Sequence, residues 1–471
     1  MLGSRESAGG STQPFSLLAQ LFGDRDTATI FGREQAVARW IEVEVALAAA
    51  QARCGLIEPA DAAAVAAAAE SLDLDEDRLW REARVVGYPI LPLVEALVRA
   101  LPEGAEDRVH FGATTQDIMD TGLILQTRAA IDRLDALICR LGEALRERVE
   151  RYAATPMAGR THAQQAVPTT FGAKLATFLD ELTRHLDRLR TARPRALAIS
   201  LHGAAGTSAA SGPEAASVRA ELADALGLTA TDVPWHASRD RLAEIAWIAA
   251  AAAETCARLA REVVDLSRTE IAEVAEGSAH HGGASSTMPQ KRNPVRSEAI
   301  IGFAGTATAL VPAQLRAVEA GHERSAGEWQ IEWQVFPQTL YAAASALAVA
   351  GELVEGLTVD ERAMLDNLAA DNGAIMAEAM MMSLARKVGR NRAHDLVYEA
   401  TGVARQRDIP IQDALAEVVG PELPVAPIAP AEYLGGSDLA CRAAVAAWEL
   451  VSERPAAAAT VERDSERRSD G

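Results

Sequence analysis

No proline interrupts the chain from Ile118 to Ala153, and within that stretch Leu134, Ile138, Leu141, Leu145 and Val149 recur at spacings of three and four. That period lays one apolar stripe along a long α-helix, and Gly142 inside it is tolerable. Similar long segments run through 168–193, 240–276, 295–320 and 333–355, with shorter ones at 34–53, 59–71 and 76–84. Long helices in water need partners along their whole apolar face. Alanine dominates a hydrophobic fraction of 49%, and aromatic residues make up only 4%. Helix formers therefore prevail, and a large sheet lacks its usual material. The expected fold is all-α: three domains around a central bundle of long helices, extended by copies of itself, with acidic outer faces in solvent. With 471 residues to divide, the expected segments are a flexible 1–13, a helical domain 14–107, the long-helix bundle 108–356, a helical domain 357–453 and a loose tail 454–471.

A formal net charge of −20 repels phosphate backbones, so nucleic acid is not an expected partner. Cys54, Cys139, Cys256 and Cys441 stand far apart and form no CxxC pair, which argues against a disulfide framework or structural zinc. No apolar run long enough to suggest a membrane span is evident, and the polar start MLGSRESAGGSTQP does not read as a secretory signal. The expectation is a cytoplasmic protein with no membrane partner.

Polar blocks punctuate the helices. GGASSTMPQKRNP at 282–294 is too polar for core. Its paired glycines let successive N–H groups turn toward one anion. Ser285 and Ser286 offer hydroxyls that can carry or accept a proton. Lys291 adds a fixed positive charge, Asn293 a neutral donor, and Met288 completes the loop. Such a loop suits closure over a carboxylate-bearing substrate and stabilisation of developing negative charge. HFGATTQD at 110–117 places Thr114, Thr115 and Gln116 at the start of the long helix. Helix N-termini attract carboxylates, although capping explains part of the pattern. In GRTHAQQAVPTTFG at 159–172, Arg160, Thr161, His162 and Gln165 precede Pro168, which suits the first turn of the next helix. His162 is of the residue type most used as a proton carrier. His236, in PWHASRDRL, is a candidate for lining the site or a plain polar contact in a turn. His280 and His281 lack a third ligand at metal spacing, so no metal is expected, and no cofactor. The glycines of GAAGTSAASG lack the lysine of a phosphate loop.

The first three blocks together resemble, in order and kind, the signature loops of the fumarase/aspartase superfamily, and the resemblance runs from about residue 14 to residue 452. That superfamily includes adenylosuccinate and argininosuccinate lyases and the bacterial 3-carboxy-cis,cis-muconate cycloisomerases. The resemblance implies Ser285 as general base, stabilisation of the resulting dianion by Lys291 and Asn293, and carboxylate binding by Thr114, Thr115 and Arg324. It also implies a homotetramer whose sites draw loops from several subunits. Two features divide the branches. His162 is retained where cycloisomerases usually carry a bulky non-titrating residue, which favours elimination. PWHASRDRL at 234–242 and GHERSAGEWQIEWQVFP at 321–337 look closest to the cycloisomerase branch. Trp329 and Trp333 stand where adenylosuccinate lyases hold a nucleotide phosphate with Ser and Arg. VVGYPI at 85–90 replaces those lyases' histidine motif. The leading expectation is C–N bond cleavage from a small substituted succinate, a dicarboxylate, to give fumarate or a close analogue. The alternatives are 3-carboxy-cis,cis-muconate cycloisomerisation and an inactive structural member.

Overall fold

The computed structural model describes residues 16–103, 108–277, 283, 287–288 and 290–454. The expected loose ends, 1–13 and 454–471, lie outside them except for Arg454. Six helices come first: α1 (Leu17–Phe22), α2 (Arg25–Ile30), α3 (Arg33–Arg53), α4 (Pro59–Glu70), α5 (Glu76–Val86) and α6 (Ile90–Ala100). The 37-residue α7 (Thr115–Arg151) leads into a hairpin of β1 (Pro156–Thr161) and β2 (Gln164–Thr170). Next are α8 (Phe171–Ala196), α9 (Ala215–Leu226), α10 (Asp240–Leu266), the two-residue strand β3 (Val274–Ala275), α11 (Val295–Ala317) and α12 (Glu328–Gly356). The strand β4 (Thr358–Val359) pairs with β3, and α13 (Glu361–Ala369), α14 (Ala377–Val388), α15 (Arg390–Arg407), α16 (Ile411–Val419) and α17 (Ser437–Ser452) complete the order. The fold is all-α: among the described residues the sheets are two antiparallel pairs.

The stripe on α7 is core. Leu134, Ile138, Leu141, Leu145 and Val149 are each at most 1% exposed, and each contributes roughly 1.5–3 kcal/mol by leaving water. α7 packs on α8 and α12, α10 packs on α11 and α12, and α17 returns across the chain to lie on α8 and α7. Gly142 has a packing role: a Cβ there would lie 2.0 Å from the Trp448 ring of α17. A second apolar cluster joins α13 to α16, including Leu368, Met380, Val397 and Ile411.

Three local expectations change. α7 begins at Thr115, three residues before Ile118, because Asp117 accepts from the Thr114 N–H (3.1 Å) and supports an earlier first turn. Pro168 does not start a helix. It sits in β2 opposite Ala158, where a two-stranded ribbon has a free edge that tolerates a missing N–H. The helix then starts at Phe171, with Thr170 Oγ1 accepting from the Ala173 N–H at 3.0 Å. α11 is, by length and composition, apolar enough to cross a membrane. It packs on α10 and α12 instead, yet only 33% of its most apolar window is buried within the single chain.

Candidate active site

The N-terminal end of α7 is held by buried charge. Asp117, fully buried, accepts from the backbone N–H groups of His202 and Gly203 at 2.9 Å each, from Ser200 Oγ at 3.2 Å, and pairs with His236 Nε2 at 2.7 Å. Burial alone would raise its pKa, but His236 and the backbone donors hold it below the usual carboxylate value. One turn on, Asp120 takes both terminal nitrogens of Arg239, at 2.7 and 3.0 Å, and Trp329 Nε1 at 3.2 Å. Arg239 also binds Glu332 through Nε at 3.1 Å and through Nη2. Arg239 and Glu332 are almost fully buried. Burial pushes the Glu332 carboxyl up despite Arg239, whereas the two carboxylates outweigh burial at Arg239 and raise it.

Gln116 links this interior to the surface. Its Nε2 donates to Asp120 at 3.1 Å and to the His236 carbonyl at 2.9 Å, and its Oε1 accepts from Arg324 Nε at 2.8 Å. Arg324 Nη2 reaches Thr114 Oγ1 at 3.4 Å and the Ala204 carbonyl at 3.2 Å. The half-buried guanidinium therefore stands beside the start of a 37-residue helix, where free N–H groups and a clamping arginine favour an anion. Thr115 opens that helix. The structure thus gathers Thr114, Thr115, Gln116, Arg324 and His236. Gln116 and His236 are inside, at 1% and 3% exposure, so they position the clamp rather than present a surface to it.

The hairpin residues are elsewhere. Thr161, His162, Ala163 and Gln164 form an exposed tip, and His162 and Ala163 turn it with positive φ of 50° and 60°. That is the turn that matches strand twist, made here without the usual Asn-Gly. Arg160 forms a two-pronged ion pair with buried Glu273, at 2.6 and 2.9 Å. Gln165 Nε2 donates to the Asn367 carbonyl at 2.9 Å. α7 separates this hairpin from Thr114 by its own length, about 55 Å at 1.5 Å per residue. The six-residue β1 recovers at most about 20 Å of that. Within one chain the two blocks do not meet.

Of the loop 282–294, Ser285 and Ser286 lie outside the described residues, as do His280 and His281. Lys291 and Met288 are exposed and Asn293 half-buried. The Asn293 N–H donates to the Gly283 carbonyl at 2.9 Å, and the Lys291 N–H to that of Met288 at 3.0 Å. Gly283 has φ 68°, and a Cβ there would lie 2.5 Å from the Asn293 carbonyl oxygen, so that position requires glycine. The sequence reading missed Asp117, Asp120, Arg239 and Glu332. For Asp117 and Asp120 a signal was present: polar residues at 116, 117, 120 and 121 on the face of α7 that continues the apolar stripe.

Comparison with known proteins agrees on the family. The family model described as Lyase matches residues 26–308. A 3-carboxy-cis,cis-muconate cycloisomerase of Pseudomonas aeruginosa is 42% identical over 405 residues, 84% of this chain and 88% of that protein. The crystal structure of 3-carboxy-cis,cis-muconate lactonizing enzyme from Pseudomonas putida superposes with a TM-score of 0.86 at 35% identity, covering 93% of this chain and 99% of the other. A fumarate lyase from Mesorhizobium sp. gives 0.84 at 35% identity, covering 90% and 98%. The expectation of C–N cleavage from a substituted succinate is thereby corrected, because cycloisomerases match this chain at up to 42% identity across most of its length. That expectation leaned on His162, and an exposed histidine at a hairpin tip does not specify a leaving group.

Proposed function

The chain belongs to the Lyase family within the fumarase/aspartase superfamily, and from that premise we propose that it is a 3-carboxy-cis,cis-muconate cycloisomerase. The single observation that carries this reading is the 42% identity to such an enzyme over 84% of the chain. In the reaction a carboxylate oxygen of the substrate adds to a conjugated double bond. One C–O bond forms, one π bond is lost, and the neighbouring carbon takes up a proton, so the product is a lactone and no atom leaves.

Each role follows from chemistry. Arg324, with Thr114 and Thr115, holds a substrate carboxylate at the start of α7. Lys291 and Asn293 stabilise the enediolate beside the carbon that gains the proton. Ser285 moves that proton, and Ser286 and Met288 line the closed loop. Thr161, His162 and Gln165 reach the site from a neighbouring copy, in a homotetramer with shared sites. Arg160, bound to Glu273, shapes the hairpin that carries them. The 55 Å estimate for α7 speaks for this sharing. The domain division at 107 and 356 and a cytoplasmic location complete the proposal.

The test is direct. Purified protein incubated with 3-carboxy-cis,cis-muconate should remove the diene absorbance and yield one lactone. A folded oligomer that leaves the diene untouched over hours at micromolar enzyme would sink the reading.

A further inference from the structure

A cavity of about 440 Å³ lies between the N-terminal helices and α12, within the size range of small-molecule sites. Its walls are aromatic: Trp40 from α3, Trp80 from α5, Tyr88 from the turn after α5, and Trp329 and Trp333 from α12. The rings lock one another. Tyr88 stacks on Trp329 at 5.9 Å and meets Trp333 edge-on at 6.0 Å; Trp329 and Trp333 lie 4.8 Å apart, and Trp40 meets Trp80 edge-on at 6.3 Å. Such ring clusters hold their shape without a ligand and present both faces and edges.

The polar groups of this wall are mismatched in one direction. A buried indole N–H normally finds an acceptor, and Trp329 finds Asp120. Trp80 Nε1 and Trp333 Nε1 are shielded from solvent and have none. Arg84, exposed on the last turn of α5, also lines the cavity, and no carboxylate pairs with it among the described residues. Asp120, the acidic group on the wall, is already taken by Arg239, Gln116 and Trp329. Two indole N–H groups packed within the wall and a guanidinium on its rim therefore lack an acceptor. The floor is Met119, Asp120 and Leu123 of α7, one to two turns from Gln116 and the Arg324 clamp.

We propose that this cavity binds a flat, unsaturated organic acid, its ring or conjugated chain against the indoles and its carboxylate on Arg84. An aliphatic acid of equal charge lacks the flat π-body, and a neutral ring leaves Arg84 unanswered. A nucleotide phosphate is a poor occupant of walls so short of polar partners. The chemistry is shared by a separate aromatic acid and by a conjugated substrate that also reaches Arg324. The assignment stands without the lactonisation reading, because it is tested by binding alone.

Titration calorimetry on the full chain with benzoate and with cyclohexanecarboxylate gives the first test. Benzoate should bind at least about tenfold more tightly, a difference of about 1.4 kcal/mol. Equal affinity, or no heat with either acid up to tens of millimolar, overturns the proposal. Trp333→Leu should abolish the preference for the flat acid. Should Trp333→Leu fail to fold, exposed Arg84→Gln decides: it should weaken benzoate about tenfold and leave benzamide unchanged. Unchanged benzoate affinity in that variant overturns the assignment. Saturating fumarate separates the two sources. Joint binding marks a separate acid beside an occupied clamp. Mutual exclusion that still responds to the Arg84 and indole variants marks the cavity as the apolar half of the reaction site. Mutual exclusion indifferent to them places benzoate at Arg324 and overturns the proposal.

Discussion

At His110 two influences oppose each other. Burial pulls the imidazolium pKa down, while the Glu44 carboxylate, hydrogen-bonded at 2.7 Å, pushes it up and prevails. A histidine raised in the fold stabilises fully below its unfolded value of about 6.5 and loses that contribution as pH climbs through the folded value. His202 runs the other way: burial lowers it to about 4, so it weakens the fold as pH falls from about 6.5 toward 4. We therefore expect His110→Gln to lower Tm more at pH 6 than at pH 9. An equal loss at both values would show that the Glu44 pair is not charged in the fold. Arg160 shows what sequence leaves illegible at this scale. Its block marked it as a substrate ligand, but Glu273, which occupies its guanidinium, lies 113 residues away, and no local pattern reports that distance.

Among elements, the long helices were legible because their apolar period is unbroken, and α3, α7, α10 and α11 start within three residues of expectation. The hairpin was not. Pro168 before an apolar run reads as a helix start, and a turn made by His162 and Ala163 carries none of the Gly or Asn that announces positive φ. Gly142 was legible as a tolerated glycine but not as a required one, because Trp448 reaches it from the last helix. Alanine gains about 1 kcal/mol over glycine in a helix interior, yet its Cβ would overlap that buried indole. Overpacking of this kind costs about 1–3 kcal/mol, which offsets or exceeds that gain. Gly142→Ala should lower the urea midpoint with an unchanged m-value, and a rise in midpoint would mean that α17 yields freely.

For the whole molecule, an apolar α11 with most of its stripe uncovered and the proposed division of the site between the two ends of α7 point the same way, toward association of copies. Sequence alone could pick out the blocks but not measure the helix that parts them. Ser285→Ala and His162→Ala should each lower turnover at least about 10²-fold. Mixed and allowed to exchange subunits, they should recover measurable activity, since some sites then receive both native groups. Failure to recover after verified exchange would confine each site to one chain. The cluster of Arg239, Asp120 and Glu332 has a consequence for the environments such a catalyst tolerates. Dissolved ions screen charges they can approach and not those sealed in protein. Molar sodium chloride should therefore slow capture of a polyanion at the half-open guanidinium of Arg324, raising KM, while the melting temperature holds nearly steady, because the mooring beneath it is out of reach of brine.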